Sequence, residues 1–226
     1  MSEWWTYRPA DFLMFAPGTW WRLFELHNQA WWPAQVLLLF AGCAVVVGLW
    51  RAHRGSLRTA TVLLALAWAF VAWAFLWQRY AAINGSATGF AWGFAAQSVG
   101  LLVLATRPSL SLEARPARRR AGLGLLLWAV LAHPWLAPVL GRPWVQAEVF
   151  GLAPDPTAIA TLGVLLCAAA GTPAARRLLR VLRAGALLWL AVSAATLGTM
   201  GSAQAWVLLG AAGVAVAVWG VSRTRA

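Results

Sequence analysis

The feature that most constrains the fold is a series of apolar runs about as long as a helix that crosses a bilayer. Crossing roughly 30 Å of hydrocarbon at about 1.5 Å per residue takes about 20 apolar residues. Seven runs reach or approach this length: 31–50, 59–78, 87–106, 121–140, 157–171, 184–199 and 204–221. We therefore predict an all-α integral membrane protein with about seven transmembrane helices. The fifth and sixth runs are short, so the alternative that one of them is re-entrant stays open.

Composition supports this class and limits the others. Charged residues make up 11% of the chain, against about 25% in a soluble domain. The basic excess, with a pI near 11.8, lies between the apolar runs and not on a water-facing surface, so we expect no nucleic-acid partner. Every basic residue is arginine, which excludes a lysine Schiff base. A chain without lysine and rich in Ala, Gly, Leu and Trp is also typical of a GC-rich bacterial gene, so we expect a multi-pass protein of the bacterial inner membrane.

The arginines predict an orientation. Fourteen of the eighteen fall in three alternate connections and in the tail after Val221. Short connections rich in arginine stay in the cytoplasm. The opposite side carries five of the six acidic residues. We therefore expect the N-terminus outside and the C-terminus in the cytoplasm.

Residues 1–30 are expected to form a separate segment on the outer face, ahead of a single transmembrane domain at 31–226. The segment is rich in tryptophan, tyrosine and phenylalanine, which favour the headgroup level of a membrane. The run TWWRLFELHNQAWW has apolar residues at near-helical spacing and predicts an interfacial helix. Thr19 is a candidate cap of this helix, and Arg22 is a candidate partner for Glu25.

A basic helix is predicted at the start of the sixth span. Thr172 followed by Pro173 is typical of a helix N-terminus. Four arginines then recur at helical spacing: Arg176, Arg177, Arg180 and Arg183. Such a helix holds its end in the cytoplasm and attracts anionic lipid, so we expect membrane lipids to be partners at these four residues.

His133 is the one ionisable residue that lies clearly within a predicted span, directly before Pro134. Ionisable groups at this depth commonly carry protons or contact ligands. A histidine there can instead hydrogen-bond a carbonyl that the proline leaves free, and we favour this second interpretation.

The remaining polar residues gather on the outer side. Arg79 and Asn84 follow the second span, and Arg142, Glu148 and Asp155 lie in the proline-rich connection after the fourth. With His133 they form our candidate ligand-binding set, in which Arg79 and Arg142 are possible anion contacts. Asp155 before Pro156 also fits a helix cap, which we favour over a ligand role. Whether Arg142 and Glu148 close a surface or line a cavity stays open.

Enzymatic chemistry lacks a recognisable arrangement. No motif of a hydrolase, metalloprotease, phosphate-binding loop or dinucleotide site is present. The histidines and the two cysteines, Cys43 and Cys167, have no spacing that suits a metal or haem. We expect no enzyme activity, no cofactor and no metal.

Three stretches resemble a family of uncharacterised bacterial multi-pass inner-membrane proteins, a domain-of-unknown-function family. They are EWWTYRPADFLMFAPGTWWRLFELHN, WQRYAAIN and GRPWVQAEVFGLAPDPTAIATLG. The resemblance covers most of the chain and implies an integral membrane location, with no activity attached.

Two hypotheses of function follow. The first is a permease-like or ligand-binding membrane protein with an outward-facing polar site and a small-molecule ligand. The second is a structural or accessory subunit that holds a protein partner in a membrane complex. A third, an enzyme acting on lipid-borne substrates with Glu148 or Asp155 as base, lacks the accompanying groups.

Overall fold

The computed structural model describes residues 14–220 and is mostly helical. Residues 1–13, the first half of the predicted interfacial segment, lie outside the described residues, as do residues 221–226. The helices are α1 (Pro17–Ala30), α2 (Ala34–Trp50), α3 (Ser56–Phe70), α4 (Ala87–Ala105), α5 (Pro116–Leu127), α6 (Leu136–Val139), α7 (Pro154–Leu166), α8 (Pro173–Thr199) and α9 (Gln204–Gly220). Two short strands are β1 (Leu110–Leu112) and β2 (Ala168–Ala170).

Two of the helices continue with altered geometry. α3 runs on as a π-helix at Val71–Trp77, and α5 runs on as a π-helix at Trp128–Ala132 and a 3₁₀ turn at His133–Trp135. Pro134 has no N–H to donate, so a regular α-helical pattern cannot pass through it. The change of helix type in α5 therefore falls where the proline requires it.

Four helices in the described part of the chain are long and apolar enough to cross a membrane: Ser56–Ala82, Ala87–Ala105, Pro116–Val139 and Pro173–Thr199. A fifth span results if α1 and α2, which meet at an angle of 89°, count as one broken span. Each of the seven predicted runs overlaps a helix, but α7 has only 13 residues. The fifth run was predicted to extend to residue 171; the helix ends at Leu166 and the chain continues into β2.

The two strands modify the all-α prediction at one end of the molecule. They pair antiparallel, with Ser111 opposite Ala169. β1 lies between α4 and α5, and β2 lies between α7 and α8. The pairing therefore brings two of the arginine-rich connections to the same end of the bundle.

α1 packs one face on the bundle. Trp20, Leu23, Phe24 and His27 are buried, a spacing of three and four residues that marks one side of a helix. Phe24 lies 4.7 Å from Phe75 between ring centroids. The predicted cap at Thr19 is wrong, because the helix begins at Pro17 and the preceding residue is Ala16. The predicted pair of Arg22 and Glu25 is present.

α7 is the centre of the fold. All of its residues are buried, and it packs against α3, α5, α8 and α9. The closest approach is to α5: a Cβ placed on Gly163 would lie 2.6 Å from the carbonyl oxygen of Gly122. Because protein surrounds α7 on all sides, its neighbours cover the helix along its whole length.

The start of α8 agrees with the sequence prediction. Thr172 accepts a hydrogen bond from the Ala175 N–H, and Pro173 occupies the first turn. The helix then runs unbroken for 27 residues, so the basic segment and the sixth predicted span form one helix.

Candidate functional site

Glu148 is the centre of a buried polar cluster in the connection between α6 and α7. Its side chain lies 3.4 Å from Nε2 of His133. Its other carboxylate oxygen accepts a hydrogen bond of 2.8 Å from Nε2 of Gln204, the first residue of α9. Glu148 is only 3% exposed, and His133 and Gln204 are buried as well. Three distant parts of the chain therefore meet at one carboxylate.

Arg142 joins this cluster through Gln204. Its Nη2 donates a hydrogen bond of 2.6 Å to Gln204 Oε1, and its guanidinium lies 3.5 Å from the ring centroid of Trp21 in α1. No direct ion pair links Arg142 to Glu148 within residues 14–220. The side-chain amide of Gln204 thus bridges the charges of Arg142 and Glu148. These contacts hold the connection between α6 and α7 against both α1 and α9.

Hydrogen bonding keeps Glu148 acidic. Burial alone would favour the neutral acid, but the hydrogen bond from His133, the nearby charge of Arg142 and the hydrogen bond from Gln204 more than offset it. The pKa of Glu148 is therefore lowered from the ordinary value. A buried carboxylate with donors on both oxygens is a satisfied group.

His133 does not take the interaction that we favoured from the sequence. Its Nε2 faces Glu148, and its Nδ1 is buried without a hydrogen-bond partner. The expectation of a bond to a carbonyl freed by Pro134 is therefore wrong, because one ring nitrogen faces a carboxylate and the other has no partner.

Asp155 is not a helix cap. α7 begins one residue earlier, at Pro154, and the capping position is Ala153. The Asp155 carboxylate instead accepts hydrogen bonds of 2.8 Å from Trp189 Nε1 and from Ser193 Oγ. Its role in the fold is to tie α7 to α8.

Arg79 and Asn84 lie apart from the Glu148 cluster. Arg79 Nε donates to Nδ1 of His27 at 3.2 Å. Asn84 donates to the Tyr80 hydroxyl at 2.7 Å and accepts from the Ser86 N–H at 3.0 Å. Of the six candidate residues, the structure thus brings three, His133, Arg142 and Glu148, into one network.

Two residues that hold this site together were not among the candidates predicted from the sequence. Gln204 bridges Arg142 and Glu148, and Asn28 donates hydrogen bonds of 2.8 Å to the carbonyls of Val145 and Ala147. Both are uncharged amides at the ends of apolar helices. Side-chain amides are rare in this apolar chain, and that rarity could have marked both residues as candidates. Their hydrogen-bond partners could not be predicted from spacing, because they lie more than fifty residues away.

A groove of about 580 Å³ opens beside the Glu148 cluster. It is lined by Asn28, Gln29, Trp32, Gln35, Leu39, Pro134, Trp144, Val145, Ala147 and Val149. We call it the outer groove, because we expect from the sequence that the segments lining it lie on the outer side. Pro134 follows His133, and Ala147 and Val149 flank Glu148, so the cluster supports one wall. Gln35 donates to the Asn28 carbonyl at 2.8 Å, while its own side-chain oxygen is buried without a partner.

The outer groove is mostly apolar. Its lining combines tryptophan and aliphatic walls with the three amides of Asn28, Gln29 and Gln35, a composition that is common in clefts that bind small molecules. Across residues 14–220, no group of three or more histidine, cysteine or acidic side chains is arranged to hold a metal ion.

Comparison with known proteins gives a family and no more. No curated protein and no solved structure matches the chain. A family match covers residues 18–226, which include the outer groove and the Glu148 cluster. The chain therefore belongs to the family described as a family of unknown function, DUF6064.

Proposed function

We propose that this protein crosses the bacterial inner membrane seven times, with the outer groove facing outward and the β1–β2 end in the cytoplasm. Two contacts support the shared inner end. β1 pairs with β2, and Arg119 at the start of α5 donates to the carbonyl of Leu49 at the end of α2 at 2.8 Å. Both contacts bring arginine-rich connections together at one end of the molecule. This agrees with the tendency of such connections to stay in the cytoplasm.

We further propose that the protein is not an enzyme and acts as a permease-like or ligand-binding membrane protein. The observation that carries this function is the outer groove, a cleft beside a buried charged cluster. The indole rings of Trp32 and Trp144 offer apolar contact. The unpartnered side-chain oxygen of Gln35 and the exposed amide of Gln29 offer hydrogen bonds. An amphiphilic small molecule fits this combination.

The Glu148 cluster has a positioning role in this proposal. The hydrogen bonds of Gln204 fix Glu148 and Arg142 to α9, and those of Asn28 fix Val145 and Ala147 to α1. Because these contacts set the separation of the two walls of the outer groove, weakening them should loosen ligand binding.

The test is native mass spectrometry of the protein purified in a mild detergent. Wild type should retain a small molecule or lipid, and Trp144→Ala should lose it. Trp206→Ala is the matched control, because Trp206 is 74% exposed and does not line the outer groove. Equal retention by all three proteins, or by none, would contradict a ligand site in the outer groove.

The second candidate function is an accessory subunit of a membrane complex. A separate groove of about 580 Å³, lined largely by apolar residues, runs along α3 and α4 and includes Trp73, Trp77 and Trp92. All three tryptophans are exposed, and such a face can pack on another transmembrane helix. A protein partner that co-purifies in a fixed ratio, and that Trp92→Ala releases, would favour this function over the first.

A further inference from the structure

A basic groove of about 510 Å³ lies at the end of the molecule opposite the outer groove. It is formed by the start of α5, strand β2, the first turns of α8 and the end of α9. Its lining is Glu113, Arg118, Ala168, Ala169, Ala170, Pro173, Arg176, Arg177, Leu179, Arg180, Arg183 and Trp219. Five arginines against one glutamate give this groove a strong positive excess.

The single carboxylate is already engaged. Glu113 accepts a hydrogen bond of 3.0 Å from Arg118 Nη1 and one of 3.1 Å from the Arg115 N–H. These donors outweigh the effect of burial and lower the pKa of Glu113. Glu113 therefore stays charged and neutralises Arg118, leaving the arginines of α8 without an acidic partner among the described residues.

Arg183 is the second, independent observation. It is only 5% exposed and forms the rear of the basic groove. One terminal nitrogen donates to the carbonyls of Leu165 and Ala168, and the guanidinium lies 5.4 Å from the ring centroid of Trp219. Its Nε is buried without a hydrogen-bond partner. Burying a cation is costly unless a negative group compensates it. Among residues 14–220 no acidic side chain forms an ion pair with Arg183, and the charge of Glu113, which acts on it, is countered by that of Arg118.

The position of the basic groove along α8 indicates the membrane surface. A helix of 27 residues is about 40 Å long, which exceeds the roughly 30 Å of hydrocarbon by about two turns. Arg176, Arg177 and Arg180 are exposed in the first turns. If the other end of α8 lies at the outer face, these arginines reach headgroup depth. This step depends on the membrane placement proposed above.

We propose that the basic groove binds a phosphate group, with Arg177 and Arg180 as direct contacts and Arg183 forming the positive wall behind them. Planar guanidinium groups match the geometry of phosphate oxygens and bind them through paired hydrogen bonds. The basic groove differs in two ways from the basic helix that the sequence predicts. Arg183 is buried at the rear of the groove, and Arg118 from α5 lines it together with the four arginines of α8.

The experiment uses the full chain in two settings. In mixed micelles of neutral phosphatidylcholine and phosphatidylglycerol, native mass spectrometry counts bound anionic lipid. In a detergent without phosphate, inorganic phosphate is titrated and binding is followed by the shift in melting temperature. The variant is Arg177→Gln with Arg180→Gln. The control is Arg54→Gln with Arg58→Gln, two exposed arginines of another connection at the same end that remove the same charge outside the basic groove.

We expect wild type and the control to bind phosphate and the groove variant to bind it roughly tenfold or more weakly. If the groove variant loses binding of phosphatidylglycerol alone, the ligand is a lipid headgroup. If it loses binding of inorganic phosphate alone, the ligand is a free anion. Equal weakening in the groove variant and the control, or no saturable binding by wild type, would overturn the proposal. The same spectra report any molecule held in the outer groove, so failure at one end is distinguishable from failure at the other.

Discussion

Glu148 combines full burial with donors on both carboxylate oxygens, and this combination makes its charge part of the folded state. The hydrogen bonds from His133 and Gln204 are available only when the chain is folded. Because they lower the pKa of Glu148 below its ordinary value of 4.5, the ionised form contributes stability above pH 4.5. That contribution is lost as the pH falls further, through the lower pKa of the folded protein.

We predict that Glu148→Gln lowers the free energy of unfolding by about 1–3 kcal/mol at pH 7. The difference between wild type and variant should shrink as the pH falls below 4.5, because Glu148 of the unfolded wild-type chain then takes up a proton that the folded protein does not bind. Melting temperatures in detergent between pH 7 and pH 4 measure it. Glu25→Gln is the control, since its partner Arg22 is exposed and a surface ion pair contributes little. A Glu148→Gln difference that is equal at both ends of this range would contradict the account.

A substitution at Asp155 distinguishes a helix-capping role from a tertiary contact. Serine caps a helix about as well as aspartate, so Asp155→Ser would be tolerated if capping were its role. We predict instead a loss of about 2 kcal/mol or more. The single, shorter hydroxyl of serine cannot replace the two carboxylate oxygens that accept from the indole N–H of Trp189 and the hydroxyl of Ser193.

A double-mutant cycle with Trp189→Phe checks the Asp155 prediction by thermal unfolding. Phenylalanine removes the donor, so the two changes together should cost less than the sum of each alone, by about 1 kcal/mol. Additive effects would show that the two side chains do not interact.

At the scale of the elements, the tightest contact is between α5 and α7. A Cβ on Gly163 would lie 2.6 Å from the Gly122 carbonyl oxygen and 2.9 Å from the Leu126 nitrogen, both in the backbone. Backbone atoms cannot rotate away, so the helices must separate. This pair could not be predicted from the sequence, because two glycines 41 residues apart give no local pattern.

We predict that Gly163→Ala destabilises the protein by about 1–3 kcal/mol, the usual cost of overpacking. Gly210→Ala in α9 is the matched control: nothing lies within 4 Å of a Cβ placed there, and alanine favours a helix over glycine. Melting temperatures of the two variants in the same detergent compare them. Equal effects would mean that the close approach of α5 and α7 does not matter for stability.

At the scale of the whole molecule, the sequence predicted helix positions well and contacts poorly. The apolar runs mark the helices because their length and hydropathy are local properties. The end of α7 at Leu166 was missed because the residues that follow it, through strand β2, are apolar as well. The apolar run therefore continues past the end of the helix. The bridge from Arg142 through Gln204 to Glu148 was missed because it joins three segments that only the fold brings together.

The orientation of the whole molecule is the central claim, since both proposed sites depend on it. The direct measurement is cysteine labelling in intact bacterial cells with a membrane-impermeant maleimide, on a chain in which Cys43 and Cys167 are replaced by alanine. Gln29→Cys places an exposed residue at the outer groove, and Arg54→Cys places one at the opposite end. We predict that Gln29→Cys is labelled in intact cells and Arg54→Cys only after lysis. Labelling of Arg54→Cys in intact cells, with Gln29→Cys protected, would contradict the account.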